Sequence, residues 1–240
     1  MNKKCSANTL KLLAVIAMTA DHTAVIFAPE NSLLYYFLRL FGRLTAPVMA
    51  FFIAEGYRYT RSRKNYLLRL AVFGLISQPF YYIMVRGRLP DQLTDLLYGW
   101  NVMISLAAAL LCLIILESGL PEILRLFLLS VCITLSFFQD WSLMIPVWAL
   151  IFHVFRKDFR KQAILFAAAS VILQTAIFAK NYDSFAQFTF QYGTLFALIP
   201  LSMYNGERGS VRYPKLNRWF FYVYYPAHTA VLLAIRVWLS

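Results

Sequence analysis

The chain has 240 residues, of which 60% are hydrophobic, 17% aromatic and only 14% charged, and its formal net charge is +12. A soluble domain carries about a quarter charged residues, so this chain has too little charge to cover a surface that faces water. The basic excess lies in short loops between apolar runs, which excludes nucleic acid as a partner and favours orientation in a membrane. The composition therefore predicts an integral membrane protein with a single domain, residues 1–240, and membrane lipids as partners.

Breaks at charged residues, proline and glycine divide the chain into nine apolar runs. Each is close to the roughly 20 residues with which a helix crosses about 30 Å of hydrocarbon. The runs lie at about 9–28, 37–57, 66–85, 101–117, 122–138, 141–155, 162–180, 187–203 and 219–238. The predicted fold is an all-α integral membrane protein, a single bundle of about nine transmembrane helices.

The loops between these runs predict the orientation in the membrane. With a cytoplasmic N-terminus, fourteen basic residues lie on the cytoplasmic side and three on the other, as the positive-inside rule requires. The fourteen are Lys3, Lys4, Arg58, Arg61, Arg63, Lys64, Arg156, Lys157, Arg160, Lys161, Arg208, Arg212, Lys215 and Arg218. The three are Arg86, Arg88 and Lys180. An odd number of helices places the C-terminus outside the cytoplasm.

Three cysteines are present, Cys5, Cys112 and Cys132, and two of them lie inside apolar runs. Their spacing is not that of a zinc site or of a disulfide framework. We therefore expect no metal.

Ionisable residues inside a membrane span are costly unless they are paired or hydrated, so they mark candidate sites. The first run carries Lys11, Asp21 and His22. Lys11 and His22 are eleven residues, or about three helical turns, apart and lie on one face, separated by about 16 Å along the axis. A cation near the cytoplasmic mouth and a deep imidazole suit a site that holds an anionic cofactor and transfers a proton. The alternatives are a structural histidine and a snorkelling lysine.

Asp21 points about 100° away from His22 on an ideal helix. Its expected partner is Arg39 or Arg43 on the following run, at a similar depth. Further along the chain, His153 ends a run beside Arg156 and is expected at the interface, away from the chemistry.

The segment Tyr204–Gly209 leaves the eighth run with two glycines and several nearby cations, including Arg208 and Lys215. It is either a phosphate-binding rim or a charged turn that obeys the positive-inside rule. His228 follows Pro226, whose missing amide frees a carbonyl that a side chain can satisfy.

An ordered set of motifs resembles the TraX family of membrane proteins over nearly the whole chain. The matching stretches are Leu10 to Met18 with Asp21–His22, Gly42–Arg43 with Pro47, Glu55–Gly56, Thr60–Ser62, Tyr66–Leu70, Ser77 with Pro79–Phe80, Asn101–Val102, Tyr204–Gly206 and Phe221–His228. The Lys11-to-His22 spacing is also similar to the basic residue, ten-residue gap and histidine of the membrane acyltransferase-3 group. Lysine replaces the commoner arginine at that position.

The resemblance implies an acyl-CoA-dependent acetyltransferase. Acetyl-CoA is the implied acyl donor, and a pilin-like N-terminus, an envelope amino sugar or glycan, or a small amine is the acceptor. His22 is then the expected general base, Asp21 the orienting or charge-balancing group, and Arg43 a donor to the oxyanion. The expected ligands of the acetyl-CoA are Lys11, Arg69, Arg208, Lys215 and Asn205. Arg39, Glu55, Tyr225 and His228 are expected to support the substrate or the site. The implied location is the bacterial inner (cytoplasmic) membrane.

Two other functions fit parts of the pattern. A proton-coupled small-molecule transporter or lipid flippase would use Asp21 and His22 as a proton relay. A structural subunit of a secretion or pilus assembly would leave the intramembrane charges without a role.

Overall fold

The computed structural model describes residues 4–97, 99–178, 185–210 and 214–239. The side chains of residues 178, 186, 187 and 214–218 lie outside this description, so nothing is said of the predicted side chain of Lys215. In the described ranges the chain folds into helices, with isolated bridges between Cys5 and Tyr204 and between Trp100 and Gln139. The predicted all-α class is confirmed.

The α-helices are α1 (Ala7–Phe27), α2 (Leu33–Gly42), α3 (Thr45–Tyr59), α4 (Arg63–Arg86), α5 (Val102–Leu116), α6 (Glu122–Leu135), α7 (Met144–Val154), α8 (Phe159–Phe178), α9 (Phe185–Thr189), α10 (Leu198–Ser202) and α11 (Pro214–Leu239). The 3-10 helices are η1 (Leu93–Leu97), η2 (Ser136–Phe138) and η3 (Phe190–Ala197).

Four helical segments are long and apolar enough to cross a membrane: Ala7–Phe27, Leu33–Tyr59, Arg63–Arg86 and Trp219–Leu239. Two shorter helices, Val102–Leu116 and Met144–Val154, are also apolar. The chain is therefore an all-helical membrane protein. The bundle of nine transmembrane helices stays a prediction, because length and composition identify four crossing segments in the described part of the chain.

The described chain divides into two compact units. Unit 1 comprises Met1–Met49 and Ala163–Ser240, and unit 2 comprises Ala50–Gln162. In unit 1, α1 packs against α2 and α11, and η3 packs against α2. In unit 2, α5 packs against α4, α6 and α7. The single domain predicted from the sequence stays a prediction.

The start of α1 is held by the segment that follows α10. Ser6 caps the helix by accepting a hydrogen bond from the Thr9 amide at 3.3 Å. The Ala7 amide donates to the Glu207 carbonyl at 2.8 Å, and the Asn8 amide donates to the Arg208 carbonyl at 3.2 Å. The first amides of a helix have no partner within the helix. Here the Glu207 and Arg208 carbonyls and the Ser6 hydroxyl satisfy them, so the end of α1 is closed rather than offered to an anion.

A break separates α2 from α3. Arg43 is the C-cap of α2, and the Thr45 side chain donates to the Ala14 carbonyl of α1 at 3.1 Å. Just before the break, Gly42 lies so close to α1 that a Cβ there would overlap the Asp21 side chain. The glycine thus lets α2 approach α1 closely enough for the groups around Asp21 to meet.

In unit 2 a buried amide network fixes the start of α5. Asn101 is fully buried, and its Nδ2 donates to the Gly74 carbonyl and to Gln78 Oε1, both at 2.7 Å. Its Oδ1 accepts from the Met103 amide at 3.0 Å as an N-cap. Gln78 also donates to the Leu96 carbonyl at 3.1 Å. The network is typical of buried polar groups that pair to offset their desolvation.

Two of the cysteines meet inside unit 2. The sulfur atoms of Cys112 on α5 and Cys132 on α6 are 3.3 Å apart, and both residues are free thiols. The sequence spacing of these residues gave no sign of this contact, because it joins two helices.

Candidate functional site

Two histidines from opposite ends of the chain meet in unit 1. His22 on α1 and His228 on α11 stack with their ring centroids 4.9 Å apart and an interplanar angle of 14°. The Nδ1 atom of His22 lies 2.7 Å from the Nε2 atom of His228. Both residues are buried, at 8% and 7% exposure. The pair is therefore a hydrogen-bonded imidazole couple shielded from bulk solvent.

The hydrogen bonds of this pair fix which nitrogens carry hydrogen. His228 Nδ1 lies 2.8 Å from the Tyr224 carbonyl, which can only accept, so this nitrogen is the donor. In a neutral imidazole the other nitrogen is then an acceptor. His228 Nε2 accordingly accepts from the Nδ1–H of His22. With both rings neutral, the lone pair of His22 lies on Nε2, to which no described residue donates a hydrogen bond.

Tyrosines of α11 enclose the imidazole couple. The Tyr224 ring stacks on His228 with centroids 5.0 Å apart, and its hydroxyl is 2.8 Å from the Thr19 hydroxyl of α1. The Tyr225 ring lies 6.1 Å from His22 and 5.7 Å from His228. These contacts hold both imidazole planes. Pro226 frees the carbonyl of residue 222, whereas His228 bonds the carbonyl of Tyr224.

Asp21 lies beside His22 in sequence and binds two arginines of the α2 segment. Arg43 Nη2 donates to both carboxylate oxygens of Asp21, at 2.7 and 2.8 Å, and Arg39 Nη1 donates to Oδ2 at 2.8 Å. The predicted pairing of Asp21 with Arg39 or Arg43 is confirmed, and both arginines take part. Two guanidinium groups against one carboxylate leave this cluster with one formal positive charge.

The 3-10 helix η3 supports Arg43 from the other side. Gln191 Oε1 accepts from Arg43 Nη1 at 3.3 Å, and the Phe190 ring lies 5.1 Å from the Arg39 guanidinium. A Cβ on Gly193 would overlap the Leu40 carbonyl, so η3 and α2 are in close backbone contact. Behind it, Gln174 donates to the Thr194 hydroxyl at 2.8 Å, and that hydroxyl donates to the Gln191 carbonyl at 3.2 Å.

The sequence did not identify Gln191, Tyr224 or the two glycines as parts of the site. Gln191 and Gly193 lie about 150 residues from Arg43, and only the tertiary packing of η3 on α2 brings them together. Gly42 stood in a recognised motif, and its role is now evident in its contact with Asp21.

The predicted donor-binding residues are divided between the units. Lys11 is half-buried, with Nζ 5.5 Å above the Phe221 ring, and Arg208 lies close enough to repel its charge. Asn205 binds within its own turn, where its Oδ1 accepts from the Glu207 amide at 2.9 Å. Two cations that repel each other favour an anion between or beside them.

Arg69 and Glu55 belong to unit 2. The guanidinium of Arg69 lies over the Tyr66 ring at 5.8 Å, and Glu55 accepts from Arg58 at 3.4 Å. The predicted roles of Arg69 and Glu55 stay predictions. No cluster of three or more potential metal ligands occurs among the described residues.

Comparison with known proteins extends over nearly the whole chain. The family model described as "TraX protein" matches residues 6–236. This chain belongs to the TraX family. A relative in Dichelobacter nodosus named "Probable fimbrial assembly protein FimC, serogroup H1" is 35% identical over 241 residues, which covers 98% of this chain and 97% of that protein. The predicted resemblance to the TraX family is confirmed.

A second relative of this TraX-family chain covers a smaller part of it. An uncharacterized protein of Rickettsia prowazekii (strain Madrid E) is 33% identical over 97 residues, which is 40% of this chain and 36% of that protein. No solved structure matches the chain.

Proposed function

We propose that this TraX-family protein is a membrane-embedded acetyltransferase that moves an acetyl group from acetyl-CoA to an amine. The observation that carries the proposal is the His22–His228 couple, which leaves a lone pair on Nε2 of a buried imidazole. A histidine with one nitrogen engaged and the other open as an acceptor is suited to general base catalysis.

In the proposed reaction, His22 Nε2 removes a proton from the acceptor nitrogen as that nitrogen attacks the thioester carbonyl. A carbon–nitrogen bond forms, the carbon–sulfur bond breaks, and the thiolate of CoA leaves. The proton held on His22 then passes to the thiolate, which restores the base. His228 acts as a positioning residue because its hydrogen bond keeps the hydrogen of neutral His22 on Nδ1. Direct transfer of this kind needs no acetyl-histidine intermediate.

The arginine cluster supports the negative charge that develops in this step. Asp21 binds Arg39 and Arg43, and the cluster retains one formal positive charge. Fixed positive charge close to a reacting carbonyl stabilises an oxyanion, most effectively where water is excluded. Asp21 orients the two guanidinium groups, and this ion pair makes it better suited to charge balance than to proton relay.

Charge supports the proposed binding site of the donor, acetyl-CoA, and the family supports the proposed acceptor. The phosphates of acetyl-CoA match the cationic pair Lys11 and Arg208, with Lys215 and Asn205 in the same region of the sequence and Arg69 as a further candidate. The acceptor is a pilin N-terminus, in line with the fimbrial assembly role in the name of the Dichelobacter nodosus relative. An envelope amino sugar or a small amine presents the same nucleophile.

The proposal includes a topology. Nine helices cross the bacterial inner membrane, with the N-terminus in the cytoplasm and the C-terminus outside. The charge distribution of fourteen basic loop residues against three supports this orientation. Acetyl-CoA is then met from the cytoplasm, where its charged nucleotide remains in water.

The test is thiol release by the purified full-length protein with acetyl-CoA and a pilin N-terminal peptide. His22→Ala should lower kcat by roughly 10²- to 10⁴-fold, the usual contribution of a general base. Added imidazole should restore part of the rate, because a small base can enter the space left by the side chain. Asn65→Ala, an exposed substitution outside the site, is the control and should keep the wild-type rate.

Two results would overturn the proposal. One is a folded His22→Ala protein that releases CoA at the wild-type rate. The other is a wild-type protein that neither binds nor turns over acetyl-CoA with any amine offered. Proton-coupled substrate uptake into proteoliposomes would then test the transporter that the sequence left open.

A further inference from the structure

A second polar region occurs in unit 2, in the turns that join α5 to α6 and α7 to α8. There a cavity of about 600 Å³ opens between the ends of the four helices. Its volume is within the range of about 300–1,000 Å³ that is usual for small-ligand pockets. The cations at its wall are Arg125, Arg156, Lys157 and Lys161.

The wall of this cavity is richer in positive than in negative charge. Its carboxylates are Glu117 and Asp158, two against four cations. Asp158 pairs with Lys161 at 3.5 Å. Arg125, Arg156 and Lys157 have no carboxylate within 4 Å in the described part of the chain.

His153 binds Glu117, the other carboxylate of the wall, which is also attracted by the charge of Arg156. Its Nε2 lies 2.8 Å from Glu117 Oε1, and this hydrogen bond holds the pKa of Glu117 below its usual range. The His153 side chain is 3% exposed. Its Nδ1 is buried with no hydrogen-bond partner among the described residues.

Packing behind His153 holds it in place. The Tyr57 ring meets the imidazole edge-on with centroids 5.3 Å apart, and the Arg63 guanidinium lies 4.1 Å above the Tyr57 ring. The imidazole is thus clamped between Glu117 and an aromatic ring. The structure buries His153 at the wall of the cavity, and its position at the membrane interface stays a prediction.

We propose that this cavity binds a phosphate-bearing anion. Arginine and lysine side chains on two separate turns converge on one volume, and both are common ligands of phosphate. The positive-inside rule accounts for basic loops, but it requires neither their convergence on a cavity nor a histidine that engages the nearby carboxylate. The phosphate belongs either to a soluble nucleotide or to an anionic lipid headgroup. This site is independent of the acetyl transfer proposed for unit 1.

The experiment uses the full-length protein in a neutral detergent at a fixed salt concentration. Equilibrium dialysis measures the binding of guanosine 5′-diphosphate, a soluble nucleotide probe that is not part of coenzyme A. Native mass spectrometry measures the retention of phosphatidylglycerol against phosphatidylcholine. The test variant is Arg156→Gln/Lys157→Gln. The control is Arg61→Gln/Arg160→Gln, which removes the same charge from two exposed residues outside the cavity wall.

We expect saturable binding of one of the two ligands, at least tenfold weaker in the test variant and changed less than twofold in the control. The ligand that is retained identifies the source of the phosphate. Equal losses in both double variants would mean attraction by net charge alone, and would overturn the proposal. So would the absence of saturable nucleotide binding together with no preference for phosphatidylglycerol. Arg125→Gln, on a different helix, repeats the test if the double variant does not fold.

Discussion

The His228 side chain determines which ring nitrogen of His22 carries hydrogen. It accepts from His22 and donates to the Tyr224 carbonyl, so its removal frees His22 to carry hydrogen on either nitrogen. We predict that His228→Ala lowers kcat about 10- to 100-fold, below the full general-base effect. The KM for acetyl-CoA should stay within twofold of wild type. Steady-state kinetics separates the two parameters, and a rise in KM without a fall in kcat would contradict the positioning role.

A glycine determines whether the carboxylate of Asp21 and its arginines meet. A Cβ at Gly42 would overlap Asp21, whereas a Cβ at Gly119 would meet nothing within 4 Å. We predict that Gly42→Ala lowers the free energy of unfolding by about 1–3 kcal/mol, the usual cost of overpacking. It should also lower acetyl transfer, while Gly119→Ala changes neither. Denaturation in mixed detergent and the thiol-release assay measure the two effects. Equal stability of the two variants would exclude the close approach of α2 to α1.

At the scale of residues, the sequence was informative where a charged side chain lies in an apolar run, because such a charge is costly unless it is paired. Charged Asp21 in an apolar run predicted a partner, and depth along the next helix selected the arginines that bind it. Gln191 carried no such signal, because a neutral amide near the end of an apolar run is compatible with many positions. Contacts between residues far apart in the chain depend on packing, which periodicity alone does not specify.

At the scale of elements, the start of α1 depends on the turn at 203–209. Gly206 and Gly209 both have left-handed φ angles, of 81° and 84°. A side chain in that conformation costs about 1–2 kcal/mol. Only Gly209 is also pressed against α1, since a Cβ there would overlap Ser6 Oγ, the cap of the helix.

We therefore predict different outcomes for two substitutions that impose the same backbone strain. Gly209→Ala should displace Ser6 and speed amide hydrogen exchange at residues 7–10 by about tenfold or more, which corresponds to at least 1.4 kcal/mol of lost protection. Gly206→Ala should leave exchange at these amides near the wild-type rate. Mass spectrometry of exchanged peptides provides the comparison. Similar exchange rates in both variants would mean that backbone strain in the turn, and not the contact with Ser6, determines the stability of the start of α1.

The helices themselves were largely predictable, because each apolar run is long and is bounded by charge, proline or glycine. The first run at 9–28 corresponds to α1, and the third at 66–85 to α4. The break between α2 and α3 was not predicted. It falls inside a continuous apolar run and places Arg43 at a helix end, where Asp21 and Gln191 reach it. Pro47, in the first turn of α3, cannot donate to the Arg43 carbonyl, so the local sequence also favours this break.

At the scale of the whole molecule, the division into two units was not visible in the sequence, because the composition is similar on either side of residues 49 and 162. The distribution of charge predicts an orientation in the membrane instead. It predicts that the loop after α2–α3 and the loop after α7 face the cytoplasm, and that the segment before α2 faces outward.

This topology is testable with single cysteines in a protein whose three native cysteines are replaced by serine. Ser32→Cys should react with a membrane-impermeant maleimide added to intact cells. Arg160→Cys, a residue exposed in the structure, should react only after the cells are opened. The positive-inside bias is the physical reason. Labelling of Arg160→Cys in intact cells would mean that the orientation is the reverse of the predicted one. The cationic cavity of unit 2 would then lie on the outer face.

The 3-10 geometry of η3 affects how far a short segment reaches. A 3-10 helix rises about 2.0 Å per residue and an α-helix about 1.5 Å. The eighteen residues of α9, η3 and α10, laid end to end, extend about 31 Å, against about 27 Å for a uniform α-helix. If the three helices were collinear, the tighter winding would give this segment a length close to the roughly 30 Å thickness of the hydrocarbon core. A change of η3 to α-helix would shorten it by about 4 Å and rotate Gln191 relative to Arg43.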